Sequence, residues 1–64
     1  MLVNGLESHE FVGMSVGELL RAKGIVPRGV AVALNGTVVR RSEWETVRVL
    51  EGDAVEIVTA VAGG

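Results

Sequence analysis

The 64-residue chain has no cysteine and no tyrosine, one proline, one histidine, one phenylalanine (Phe11) and one tryptophan (Trp44). Without thiols, neither a disulfide nor a thiolate metal site can brace so small a fold, so stability must come from burying Val, Leu and Ile. A lone His9, with no Asp, Glu or Cys at metal-ligand spacing, supports neither a triad nor a metal centre; it reads as a surface residue, and no catalytic residue is expected. Excess positive charge is also missing. A net charge of -2 and a pI near 5.2 argue against a nucleic-acid partner, and Arg40-Arg41 and Arg21/Lys23 read as solvated charge. No apolar run approaches the roughly 18 residues of a membrane helix. The amino end lacks the basic start and apolar stretch of a secretory signal, so a cytoplasmic domain is expected.

What the chain does have is glycine, 9 residues of it, placed where turns are needed. Asn4-Gly5 and Asn35-Gly36 are two-residue hairpin signals. The first predicts a strand at Met1-Leu2-Val3 returning over Leu6 to Val12; the second joins Val30–Leu34 to Thr37-Val38-Val39. Ser15-Val16-Gly17-Glu18 matches a capping box and starts a helix at Val16, with Met14 and Leu19 at the positions of a hydrophobic staple. Val16, Leu19, Leu20 and the stem of Lys23 form one stripe. Gly24 should stop the helix, Ile25 fold back on Leu20, and Pro27 forbid continuation. Ser42-Glu43-Trp44-Glu45 reads as a second capping box for one helical turn, with Trp44 as a packing anchor. Glu51-Gly52-Asp53 is a turn in which Asp53 bonds backbone N–H groups. The longest strand should run from Ala54 to Val61, directly into Ala62-Gly63-Gly64.

One helix is then available to cover one face of a four- or five-stranded mixed sheet, with the apolar first and last strands side by side and parallel in the middle. That is an α+β fold, a ubiquitin-like β-grasp, with a domain at residues 1–60 and a flexible reactive tail at 61–64. Leu34-Asn35-Gly36, Val38-Val39-Arg40, Trp44, Glu51-Gly52-Asp53-Ala54-Val55-Glu56-Ile57-Val58 and the ending Val61-Ala62-Gly63-Gly64, in this order, resemble the ThiS family of bacterial sulfur carrier proteins of thiamin thiazole synthesis.

The resemblance implies a carrier and not an enzyme. An E1-like adenylyl transferase (ThiF type) would use ATP and Mg to adenylate Gly64; the domain itself would bind no cofactor. Sulfur drawn from cysteine through a desulfurase would turn the Gly64 carboxylate into a thiocarboxylate, which a thiazole synthase (ThiG type) would consume. An extended Val61 to Gly64 spans at most about 13 to 14 Å, long enough to enter a partner's active site while the domain stays outside. The sheet face opposite the helix, carrying Leu2, Ala31, Ala33, Val58 and Ala60, is the expected docking surface. Three alternatives share parts of this pattern. The small subunit of molybdopterin synthase and other pathway-specific sulfur carriers end in the same way, a protein-conjugating modifier uses the same activation, and a β-grasp module binding RNA or nucleotides shares only the fold.

Overall fold

The computed structural model describes residues 1–59 and follows the order β1 (Leu2–Val3), β2 (Leu6–Glu7), α1 (Val16–Ala22), β3 (Val30–Leu34), β4 (Thr37–Val39), a 3₁₀ turn (Arg41–Glu43) and β5 (Ala54–Thr59). The five strands form one mixed sheet in the order β2-β1-β5-β3-β4. β1 and β5 are parallel neighbours at its centre, and every other pairing is antiparallel. This is the expected β-grasp. Asn4, Gly5, Asn35 and Gly36 have φ of 49°, 82°, 51° and 84°, the left-handed geometry that a tight two-residue hairpin requires.

Local chemistry places α1 as the sequence predicts. The Ser15 hydroxyl accepts from the Glu18 N–H at 3.1 Å, and the Glu18 carboxylate accepts from the Ser15 N–H at 2.9 Å. Two donors that the first helical turn would leave unpaired are thereby satisfied. At the other end Gly24 takes φ 71°, the Ile25 N–H donates to the Leu20 carbonyl and the Gly24 N–H to the Arg21 carbonyl. This 6→1 and 5→2 pair closes the helix. Val16, Leu19 and Leu20 are fully buried against a core built from Val3, Val32, Val39, Val55 and Ile57 of the sheet together with Phe11, Trp44 and Val49.

Two expectations need correction. The return strand stops at Glu7 and does not continue to Val12. β1 offers only two residues to pair with, and after a last bond from the Ser8 N–H to the Met1 carbonyl the chain turns, burying Phe11 at 8% exposure. Burial of that ring outweighs a longer edge strand whose alternation was weak. The second capping box is also absent: the 3₁₀ turn begins at Arg41, its N-cap position is Arg40, and no side chain caps it. The turn is fixed instead by Trp44, whose indole N–H donates to the Val39 carbonyl at 3.0 Å and whose body is 5% exposed. Held at that point, the chain tightens around Arg41–Glu43, which leaves Ser42 inside the turn instead of ahead of it.

Candidate functional site

β5 leads toward the residues expected to carry chemistry, and the sheet holds it on both sides. On one side five residue pairs link it to β3, from Leu34↔Val55 to Val30↔Thr59. On the other side β1 pairs only with Ala54 and Val55. Asn4 extends that pairing with its side chain. Its amide oxygen accepts from the Ile57 N–H at 2.7 Å and its amide nitrogen donates to the Ile57 carbonyl at 3.2 Å. Asn4 therefore does two jobs, a left-handed turn position and a substitute strand residue.

The start of β5 is fixed by a second polar cluster. Asp53 accepts from the Leu50 N–H at 2.8 Å and from the Asn35 amide at 3.0 Å, while Asn35 accepts from the Ala54 N–H at 2.9 Å. The Asn35 and Leu50 donors hold the Asp53 carboxyl below its ordinary value. The expected backbone bonding of Asp53 is present, and the side-chain link to Asn35 ties two turns together.

Alternation along the strands sorts the sheet into two faces. Val32, Val39, Val55 and Ile57 point into the core. Ala31, Glu56 and Val58 are exposed on the opposite face, Ala33 is half-buried, and Leu2 is 39% exposed at its β1 side. Cross-strand register sets Ala31 beside Val58 and Ala33 beside Glu56 and Val38. A shallow groove of about 180 Å³ results, lined by Ala31, Val32, Ala33, Val38, Glu56 and Val58. Of the expected docking residues the structure thus brings together Ala31, Ala33 and Val58, with Leu2 two strands away from β3 across β5. Ala60, like Val61, Ala62, Gly63 and Gly64, lies outside the described residues.

Val38, 69% exposed, and Glu56 belong to this face and are not among the residues expected there. The two-residue turn contained the information for Val38: with Leu34 opposite Thr37, Val38 must lie opposite Ala33. Arg41 also differs from solvated charge. Its guanidinium lies 5.2 Å from the Trp44 ring and donates to the Pro27 carbonyl. His9 is at the surface, with its side chain 74% exposed. Among the described residues no group of three His, Cys, Asp or Glu could hold a metal ion, and no helix is long and apolar enough to cross a membrane.

Comparison with known proteins gives three findings. The ThiS family model matches residues 1–64. A crystal structure of the thiamine biosynthesis protein ThiS from Geobacter metallireducens superposes with a TM-score of 0.81 at 35% identity, covering 98% of this chain and 96% of that one. A thiazole synthase of Paramagnetospirillum magneticum is 38% identical over 64 residues, which is 100% of this chain and 20% of that protein. The chain therefore spans about one fifth of the length of that relative.

Proposed function

The chain belongs to the ThiS family, the sulfur carriers of thiamin biosynthesis, and from that membership we propose that Gly64 is the residue on which sulfur is carried to the thiazole ring. A terminal carboxylate has an ordinary pKa of roughly 3.3 to 3.7, so it is ionised near neutral pH and resists attack by a sulfur nucleophile. Activation must come first. Attack of the carboxylate on the α-phosphorus of ATP, with Mg bound, expels pyrophosphate and leaves an acyl adenylate. The terminal sulfur of a persulfide charged by a cysteine desulfurase then displaces AMP to give an acyl disulfide, and a second thiol attacks the donor sulfur, forming a disulfide with it and leaving the thiocarboxylate on the glycine. Both steps belong to an E1-like adenylyl transferase acting on the chain, which is a cytoplasmic carrier and not itself the catalyst.

The observation that carries this reading is the family match over residues 1–64, which includes Gly63-Gly64. The fold adds a mechanical reason. β5 is held by β3 as far as Thr59 and by β1 and the Asn4 side chain as far as Ile57, so the strand that precedes the terminal residues is anchored in the sheet. Positioning from such a strand limits the conformations a partner has to select.

A thiazole synthase is the proposed recipient, since one such protein contains a segment 38% identical to this chain. The same likeness favours thiamin over the molybdopterin pathway. The apolar face opposite α1 is proposed to dock the transferase and the synthase in turn.

Intact mass after incubation with ATP, Mg, the cognate adenylyl transferase and a sulfur source tests the assignment. The expected result is first the adenylate and then the mass of one oxygen replaced by sulfur, both localised to Gly64 and lost when Gly64 is deleted. An unmodified Gly64 in the presence of an active transferase overturns it.

A further inference from the structure

Glu56 is a carboxylate in apolar surroundings that no side chain among the described residues pairs with. It is exposed on β5 at the groove, where the side chains besides its own are Ala31, Ala33, Val38 and Val58. Its cross-strand neighbour on β3 is Ala33, and the residue beyond that on β4 is Val38. A cation directly across the strand would stabilise an acidic residue in mid-sheet. Here none is present. The ion pairs among the described residues engage Glu7, Glu18 and Glu45, and Glu56 is in none of them. Residues 60–64 are Ala, Val, Ala, Gly and Gly, so they hold no cationic side chain either. The other carboxylate on this face, Glu7 beside Leu2, already accepts from the Met1 amino group at 3.2 Å.

Resting on the docking role proposed for this face, we infer that Glu56 is its specificity-determining residue and selects a thiazole synthase surface that is apolar and presents one Arg or Lys to the groove. The physical reason lies in what docking does to the carboxylate. An apolar surface laid over Ala31, Ala33, Val38 and Val58 strips water from Glu56, and a desolvated carboxylate is tolerated only beside a counter-charge that hydrogen-bonds it. A partner without the cation is rejected by the same carboxylate that a matched partner uses, so one residue supplies both attraction and exclusion. The small side chains around it let a guanidinium or ammonium reach the carboxylate without displacing backbone.

The sign of one substitution decides the matter. With a cation opposite, Glu56→Gln leaves that cation unpaired and weakens binding to the purified cognate thiazole synthase by about tenfold or more, Glu56→Lys weakens it further, and both flatten its salt dependence. Glu10→Gln, at an exposed position outside the sheet, leaves it unchanged. Without a cation opposite, removing the carboxylate relieves a desolvation cost, and Glu56→Gln binds as tightly as the original chain or more tightly. That result overturns the inference, as does a loss of affinity confined to the adenylyl transferase. Loading of Gly64 on the Glu56→Gln chain, read by mass with saturating transferase, separates the two questions. Normal loading with unweakened synthase binding removes the role of Glu56 and leaves the carrier reading standing; failure to load the original chain removes the carrier reading itself.

Discussion

The two faces of the sheet are made by the same strands from the same kinds of residue, yet only one of them is covered. Toward α1, Val32, Val55 and Ile57 alternate with residues that point away, and they meet Leu19, Leu20 and Trp44 in a closed core. Away from α1, Ala31, Ala33, Val38 and Val58 are nearly as apolar, and no element among the described residues is laid over them. Burial there contributes little to folding the isolated chain, because Ala31, Val38 and Val58 stay largely in water and Ala33 is only half-buried. The comparison separates stability from interaction: residues on the first face hold the domain, and residues on the second are available to a partner at little cost to the fold.

Substitutions on the two faces should therefore differ most in stability. Leu19→Ala, at 1% exposure in α1, is expected to cost about 2–5 kcal/mol, read as a shift of the denaturant midpoint at unchanged slope. A loss under about 1 kcal/mol would mean that the core closes around the cavity and that the α1 side is less tightly packed than the burial suggests. Ser15→Ala removes one half of the capping box and should cost about 1 kcal/mol by the same measurement, with the helix shortened from its amino end. On the open face, Val58→Glu at 63% exposure should change stability by no more than about 0.5 kcal/mol while weakening binding to the adenylyl transferase. Unchanged transferase binding would withdraw the docking role of that face for this partner.

Acid should expose the same contrast. The Glu18 carboxyl is lowered chiefly by the Ser15 backbone N–H, that of Glu45 by the Arg21 guanidinium, and that of Asp53 by the Asn35 amide. Each folded pKa lies below the ordinary value, 4.5 for Glu and 3.8 for Asp. Each carboxyl then contributes stability above its unfolded pKa and loses it as pH falls through the folded one. Denaturant midpoints measured downward from neutral pH should be flat until about pH 5 and decline below it. Glu18→Gln should make the decline shallower, and an unchanged slope would exclude Glu18 as a contributor.

Much of this protein was legible because its punctuation is local. Asn4-Gly5, Asn35-Gly36, Ser15 with Glu18, and Gly24 each dictate backbone geometry over two to four residues, and each formed as expected. The second capping motif at Ser42 had the same letters and failed, since Trp44 had a tertiary partner in the Val39 carbonyl and the turn formed around it. The return strand to Val12 failed for a related reason: Phe11 gained more by burial than an edge strand could offer.

The sequence by itself determined the turns and the capped helix, because these follow from backbone conformation over short stretches; the apolar character of the first and last strands pointed to their parallel pairing, and the order of the motifs carried the resemblance to the ThiS family. The face opposite the helix was legible with Ala31, Ala33 and Val58 on it, and only the tertiary structure decided what else it presents. It set Glu56 among Ala31, Ala33, Val38 and Val58, and it sent the Asn4 side chain to Ile57, which is 53 residues away. The physical reason is register. Which side chains become neighbours across a sheet depends on how the strands slide before they pair, and that is fixed by the whole packed core and not by any single segment.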